Sequence, residues 1–374
     1  MKVCSRCVMD STDREIRFNA DGVCDHCITF DKEIMPDWQL GNKNHEQLNS
    51  FASRVKTRAK SKEVDCLIGM SGGVDSSYLL HLAVTELGLR PLVFHIDAGW
   101  NSQEAVNNIQ RMIDKLDLDL YTEVINWEEM KDLQLAFFKS GVPHVDTPQD
   151  HAFFATMYKF AAEHGIKDIL TGGNYSTECI RNPIDWMYYQ SDSIQLKAIH
   201  KRFGGRKLST FPISNVLWHK IWLPYVRGIR VSRPLDMMKY DKERATVLLE
   251  QEYGYQRYPQ KHFESRFTRF YEGFWLPTRF GYDTRKVQLS SLILTGQLSR
   301  SDALEILSQP AMTDEQIKRE FKFVAAKLDI SEEELREYLN MPKRSFRDYP
   351  SQQRIYSMGA RVLKFLGTEK GGKR

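Results

Sequence analysis

The stretch Val64-Asp-Cys-Leu-Ile-Gly-Met-Ser71-Gly72-Gly73-Val-Asp75-Ser76-Ser77 leaves its backbone few choices. A short apolar run of strand type ends in two adjacent glycines. Tyr78-Leu-Leu-His-Leu-Ala-Val84 then follows with helical spacing. The reading is strand, glycine turn, helix N-terminus. Such a turn aims several backbone N–H groups and the positive end of a helix dipole at one point, which suits a phosphate. Gly72 and Gly73 let the backbone approach an anion closely. Ser71 and Ser76 add hydroxyl donors. Asp75 would repel a phosphate, so its natural role is to hold a magnesium ion that attracts one. The Gly-Lys-Ser/Thr of a Walker loop is absent from this stretch.

Residues 64–180 repeat the alternation. Strands are predicted at Asp65–Met70, Pro91–Asp97, Leu120–Asn126 and Asp168–Gly172, with amphipathic helices between them. Gly141 and Gly165 stop two of those helices. Mostly apolar strands separated by helices predict an α/β fold, with a parallel sheet covered on both faces. Ligands in such sheets bind beyond the strand C-termini, where strand order reverses. Ser71–Ser76, Asp97 and Gly172–Asn174 all fall at strand C-termini.

Cys4-x-x-Cys7 and Cys24-Asp-His-Cys27 place four of the six cysteines in the first 27 residues. Two such knuckles can meet as a tetrahedron around one ion, and they read as a structural zinc ribbon. A redox pair and an iron–sulfur site are the alternatives. The chain divides on this reading into a ribbon (1–30), a linker and polar helix (31–63), the α/β domain (64–240), a helical substrate or partner region (241–366) and a disordered tail (367–374).

The helical region carries Phe263, Phe267, Phe270 and Phe274 on one stripe, a pattern more often core than site. Arg266, Arg269 and Arg279 are interleaved with its aromatics, which suits stacking on a base and pairing with phosphate. Upstream, Lys201-Arg202-Phe-Gly-Gly-Arg206-Lys207 reads as a loop that can clamp phosphates, grip RNA or stay solvated. The apolar run Val216–Ile229 reads as core or a partner surface. A net charge of +4 over 374 residues neither demands nor excludes a polyanion. There is no run of eighteen apolar residues and no apolar signal region, so the expected location is cytoplasmic, without a membrane partner.

Ser71-Gly-Gly-x-Asp75-Ser76 resembles the signature of the PP-loop ATP pyrophosphatases, which adenylate an oxygen, release pyrophosphate and let a nitrogen or sulfur nucleophile displace AMP. Thr171-Gly-Gly173-Asn174-Tyr-Ser-Thr-Glu178 is similar to the Gly-x-Asn-x-Ser-Glu pattern of NAD synthetase-like enzymes, with one residue inserted. The resemblance implies ATP bound by Ser71, Gly72, Gly73, Asp75, Ser76, Asp97, Gly173 and Asn174. It implies magnesium held by Asp75 and Glu178. Arg233-Pro-Leu-Asp-Met-Met-Lys239 resembles a Pro-Leu-x-x-Leu-x-Lys element whose lysine approaches ATP phosphates. Lys239, one residue early, therefore joins Ser71, Asp75 and Ser76 as a catalytic candidate.

Over nearly the whole chain, the cysteine knuckles, Ser71–Ser76, Thr171–Glu178 and the Lys261–Lys286 block resemble the N-acetyl sugar amidotransferases of surface-polysaccharide (lipopolysaccharide, O-antigen) synthesis. The implied reaction adenylates the N-acetyl amide oxygen of a nucleotide sugar, and ammonia then displaces AMP to leave an acetamidino group. No cysteine at position 1 or 2 and no Gly-x-Cys-x-Gly elbow is present for a glutaminase. The implied partners are a separate glutaminase and an ammonia-conducting barrel subunit, not nucleic acid. A tRNA-modifying thiolase or amidotransferase is the competing reading, and a non-catalytic nucleotide-binding protein the third.

Overall fold

The computed structural model describes residues 2–36, 38 and 45–365. The tail placed at 367–374, and Gly41, Asn42 and Asn44 of the linker, lie outside them.

Five parallel strands form one sheet: β1 (Cys66–Gly69), β2 (Pro91–Asp97), β3 (Leu120–Val124), β4 (Asp168–Leu170) and β5 (Arg230–Ser232), in the order β3-β2-β1-β4-β5. Ile68 pairs with Val93 on one side and Leu170 on the other. β5 falls beyond the four strands read from the sequence. Its three residues sit at an exposed edge, so no buried apolar run marks it.

Side chains alternate between two cores. Ile68, Val93 and Leu170 pack with Leu79, Leu80, Ile109, Met112 and Leu249. These come from helices α1 (Val74–His81), α2 (Gln103–Leu116) and α5 (Lys242–Tyr253). Leu67, Phe94 and Ile169 face the other way, onto Phe160 and Ala161 of α4 (Thr147–Glu163) and onto Leu223. The apolar run containing Leu223 coils as a π-helical segment, Trp218–Val226. Leu217, Ile221, Trp222, Tyr225 and Val226 stand exposed on it.

The C-terminal helices do not build a core of their own. Phe267, Phe270 and Trp275 join Trp100, Phe138 and Ala152 from the α/β part and Phe321 and Val324 from further on. The phenylalanine stripe is thus core. Its helix runs through Arg266–Phe270, a π-helical turn Tyr271–Trp275, and Leu276–Phe280.

A buried carboxylate pins one connection. Glu129, on α3 (Trp127–Ser140), accepts from Ser209 N (3.0 Å), Ser209 Oγ (2.6 Å) and Phe211 N (2.6 Å). Burial alone would push its carboxyl up, but the hydrogen bonds from Ser209, Phe211 and Thr210 outweigh it and bring it down to about 2. A depressed carboxyl adds stability above its unfolded value of 4.5 and loses it as pH falls toward 2. Glu129→Gln is expected to cost about 2–4 kcal/mol at pH 7. In chemical denaturation the gap to the parent should narrow below pH 4.5. A gap unchanged between pH 7 and pH 3 would contradict this.

Candidate active site

Strand order reverses between β1 and β4, and the turns that leave these two strands face each other across a cleft of about 660 Å³. Ser71, Gly73, Asp75, Ser76, Gly172, Gly173, Glu178, Lys242, Lys261, His262 and Glu264 are among its lining residues.

After β1 the chain turns through Gly72 at φ +81°, where a Cβ would lie 2.7 Å from the Ala105 carbonyl oxygen, so only glycine fits. The Gly72 carbonyl accepts from the Tyr255 and Tyr258 hydroxyls at 3.1 and 3.2 Å. Gly73 N–H donates to Ser71 Oγ (3.2 Å), and Ser71 Oγ lies 3.2 Å from Ser76 Oγ. Helix α1 then starts with no side-chain cap on its amides. Val74, Asp75 and Ser76 of its first turn line the cleft, the place where a helix N-terminus can receive an anion. Gly172 permits close packing from β4, since a Cβ there would sit 2.8 Å from Ser76 N.

Asp75 and Glu178 converge on one cation. Lys261 Nζ lies 2.9 Å from Asp75 Oδ2 and 2.6 Å from Glu178 Oε1, and donates to Thr177 Oγ1 at 3.1 Å. The Tyr240 hydroxyl donates to Asp75 Oδ1 at 2.6 Å. Burial alone would push both carboxyls up, but the Lys261 ammonium overrides it and holds both below the usual carboxylate range. Two hard oxygen donors thus flank a single cation position beside an uncapped helix start, the donor set a magnesium ion takes. Lys242, half-buried in the same cleft, has its ammonium pulled below the usual lysine value by burial.

Lys261 reaches the cleft because residues 261–266 strap across the strand ends. Ser102 N–H donates to the Glu264 carbonyl (2.9 Å) and Arg266 N–H to the Trp100 carbonyl (2.8 Å). Lys261 follows no motif spacing. The only signal in the sequence is its position ahead of the aromatic-arginine helix.

Other expected residues are placed elsewhere. Lys239 is exposed and is not on the cleft wall, because the 3-10 turn Pro234–Met237 ends just before it and Met238 is extended. Asp97 Oδ1 accepts from Gly99 N (2.7 Å) and Asn101 Nδ2 (3.1 Å), so it shapes the loop after β2. Asn174 is fully buried and caps the helix Tyr175–Glu178 by accepting from Thr177 N at 2.9 Å. Arg266 pairs with the buried Glu320 (2.9 Å) and lies over the Phe323 ring; Arg269 is 3.9 Å from the same carboxylate. Arg279 is buried and donates to the carbonyls of Leu339, at the end of the helix Glu332–Asn340, and of Pro342, just past it. The three arginines expected to bind substrate therefore hold the helical region together. Arg279→Ala is expected to lower stability by about 2–4 kcal/mol, since two carbonyls lose their donor. The KM for any nucleotide should stay unchanged; a large KM effect with normal stability would return Arg279 to a binding role.

The four N-terminal sulfurs are buried together. Cys7–Cys24 and Cys24–Cys27 are 3.6 Å apart and Cys4–Cys27 3.8 Å. A tetrahedron of thiolates at about 2.3 Å from one ion has edges of about 3.8 Å. Backbone N–H groups of Arg6, Met9 and Cys24 point at these sulfurs at 3.2–3.4 Å, as thiolates require. The cluster packs on Cys179, Ile180 and Trp186, just past Glu178, and on helix α6 (Arg285–Leu294). Arg300 donates to the Cys4 and Cys7 carbonyls at 2.9 and 3.1 Å. The other two cysteines are buried, and burial pushes both thiols up, Cys179 to about 12.

Residues 264–363 match the family of LPS biosynthesis proteins described as WbpG-like, in its C-terminal domain. Residues 65–231 match the phosphoadenosine phosphosulfate reductase domain. No curated protein matches the sequence. Among solved structures, the chain is similar to the NH3-dependent NAD synthetase of Campylobacter jejuni at 13% identity, over 82% of this chain and 98% of that one, with a TM-score of 0.34. The NMN synthetase of Francisella tularensis matches at 13% identity, over 79% and 96%, with a TM-score of 0.32. The U34-tRNA thiolase NcsA of Methanococcus maripaludis, with its 4Fe-4S cluster, matches at 11% identity, over 92% and 90%, also at 0.32. Within one polypeptide, a match to the phosphoadenosine phosphosulfate reductase domain is followed by a match to the C-terminal domain of the WbpG-like proteins of lipopolysaccharide biosynthesis.

Proposed function

We propose that the chain is the ATP-dependent synthetase component of an amidotransferase that acts on an N-acetyl group of a nucleotide-activated sugar in surface-polysaccharide synthesis. What carries this reading is the convergence of Asp75 and Glu178 on one cation beside an uncapped helix start, in a chain whose C-terminal part is WbpG-like. A group that leaves with two phosphates needs its charge neutralised at that point. The α1 amides, Ser71, Ser76 and Lys242 would hold the phosphates of ATP. Asp75 and Glu178 would hold magnesium, which when bound neutralises the departing pyrophosphate. The amide oxygen attacks the α-phosphorus and the bond to pyrophosphate breaks. Ammonia then adds to the activated carbon and AMP leaves with the shared oxygen. The protein's task is to position a weak oxygen nucleophile and exclude water.

The four-cysteine site would hold zinc in a structural role, since thiolates fill all four positions of the tetrahedron. Cys66 and Cys179 are buried with raised thiols, which argues against a sulfur-transfer thiol at the cleft. It also leaves no glutaminase nucleophile there, so ammonia would come from a separate glutaminase through a barrel subunit. The test is pyrophosphate release from ATP. A UDP-N-acetyl sugar with ammonium chloride should stimulate it, and mass spectrometry should show an amidine in the product. Release that depends on tRNA and ignores the sugar would sink the reading.

A further inference from the structure

We infer that Asp146, Asp150 and Glu272, with the hydroxyl of Tyr271, bind an ammonium ion, which supplies the nitrogen of the amidation as ammonia once it has given one proton to a carboxylate of this group; this assignment rests on the function proposed above. Asp146 and Asp150 lie one turn apart at the start of α4. Asp146 is 5% exposed; its Oδ2 accepts from Thr268 Oγ1 at 2.9 Å, while Oδ1 has no partner among the described residues. Thr268, Tyr271 and Glu272 follow at i, i+3 and i+4 on one face of a helical segment, so the Thr268 contact brings that face onto Asp146. Tyr271 is fully buried, and its hydroxyl has no hydrogen-bond partner among the described residues. It sits on the π-helical turn, which widens the helix at that point.

Glu272 Oε1 lies 3.2 Å from His262 Nδ1, and Oε2 accepts from Thr284 Oγ1 at 3.3 Å. Gln190 donates to Asp150. His262 also lines the cleft, so the group lies directly behind the cleft wall. Glu272 meets the His262 imidazole, and the buried Tyr271 hydroxyl lies within electrostatic reach of Asp146, Asp150 and Glu272, with Asp146 Oδ1 and this hydroxyl both unfilled among the described residues. The charge situation agrees. Burial and the neighbouring carboxylates push Asp146 well above its ordinary range, and burial pushes Asp150 up to about 7. Against burial, Glu272 brings His262 up to about 9.

A small cation with several N–H donors answers both needs. It neutralises the carboxylates, and it donates to Asp146 Oδ1 and to the Tyr271 oxygen. A divalent metal fits less well. It would gather its oxygens in a tight ring, and among the described residues only the four cysteine sulfurs gather that closely.

Thallous ion, close to ammonium in charge and size, tests the site directly. Crystals of the full chain soaked in thallous acetate should show one anomalous peak between Asp146 and Tyr271, lost on back-soaking in ammonium chloride. In the amidation assay, Tyr271→Phe should raise the KM for ammonium by about tenfold or more, the factor one lost hydrogen bond of about 1.4 kcal/mol gives, with the KM for ATP unchanged. Because this hydroxyl has no partner among the described residues, the variant should keep the parent Tm. Asp150→Asn, on a half-buried residue, should act in the same direction. Amidation with an unchanged ammonium KM in both variants, together with no thallium peak, would overturn the ammonium site and leave the proposed function standing. A thallium peak in a protein that never forms an amidine would keep a cation site but remove ammonium as a nitrogen donor, and the proposed function would fall.

Discussion

Asp75→Asn should lower ATP-dependent pyrophosphate release by about a thousandfold, the scale on which removing one preorganised charge contact at a reacting phosphate acts. The carboxylate is held at three points. The Tyr240 hydroxyl donates to one oxygen at 2.6 Å, the Lys261 ammonium meets the other at 2.9 Å, and the backbone is fixed by α1 packing beneath it. Asparagine keeps the shape and can still accept from Tyr240, so the fold should survive, with a melting temperature within a few degrees of the parent. What it loses is the negative charge that lets this position share a cation with Glu178. Release at the parental rate, measured with saturating magnesium and ATP, would show that the pair is only structural.

Removing the metal from the N-terminal cysteines should be the most damaging change to stability. Structural zinc sites supply apparent binding energies of about 10–16 kcal/mol in small metal-folded peptides, comparable to the whole stability of a domain. Here the four sulfurs are completely buried, with Met9, Phe30, Trp186 and Leu294 packed around them. Without an ion, thiolates at these separations repel, and protonated thiols make poor use of the surrounding N–H donors. Cys24→Ser, or prolonged chelation, should lower Tm by about 10 °C or more, given that 1 kcal/mol moves Tm by a few degrees at this size. Metal analysis should find one zinc per chain before chelation. The loss should also reach the cleft, because Cys179 and Ile180 lie in this cluster and directly follow Glu178. A chelated protein with unchanged Tm and unchanged pyrophosphate release would show that the cysteines do no structural work.

The parts legible in the sequence were the local ones. Strand, glycine turn and helix are contiguous, so the loop at Ser71–Ser76 and its facing turn at Gly172–Glu178 could be placed without knowing the fold. The knuckle spacing likewise predicted the gathered sulfurs. Lys261 could not be found this way. It stands 186 positions from Asp75 in sequence and meets it only because the strap 261–266 crosses the strand ends. The motif resemblance points to a lysine at Lys239, but the 3-10 turn before it sends it to solvent. The arginines are ambiguous for a different reason. A guanidinium donates equally well to a phosphate, a carboxylate or a helix-end carbonyl, and residue type does not say which it meets. Arg266 met Glu320, and Arg279 met the end of a neighbouring helix. β5 escaped because an exposed three-residue edge strand carries too little pattern.

Under the proposed function, the ammonium of Lys261 would turn nucleotide entry into an ion exchange. Two carboxylates already neutralised by an internal cation offer little net field to an arriving charge, so under the proposed function free magnesium alone would have small advantage over the lysine it would have to dislodge. A nucleotide that brings its own cation changes the balance, because its phosphates give the displaced ammonium a new partner. Occupancy of the loop should therefore rise steeply only when metal and nucleotide arrive together. The same swap would carry the lysine from the carboxylates onto the phosphates in one motion.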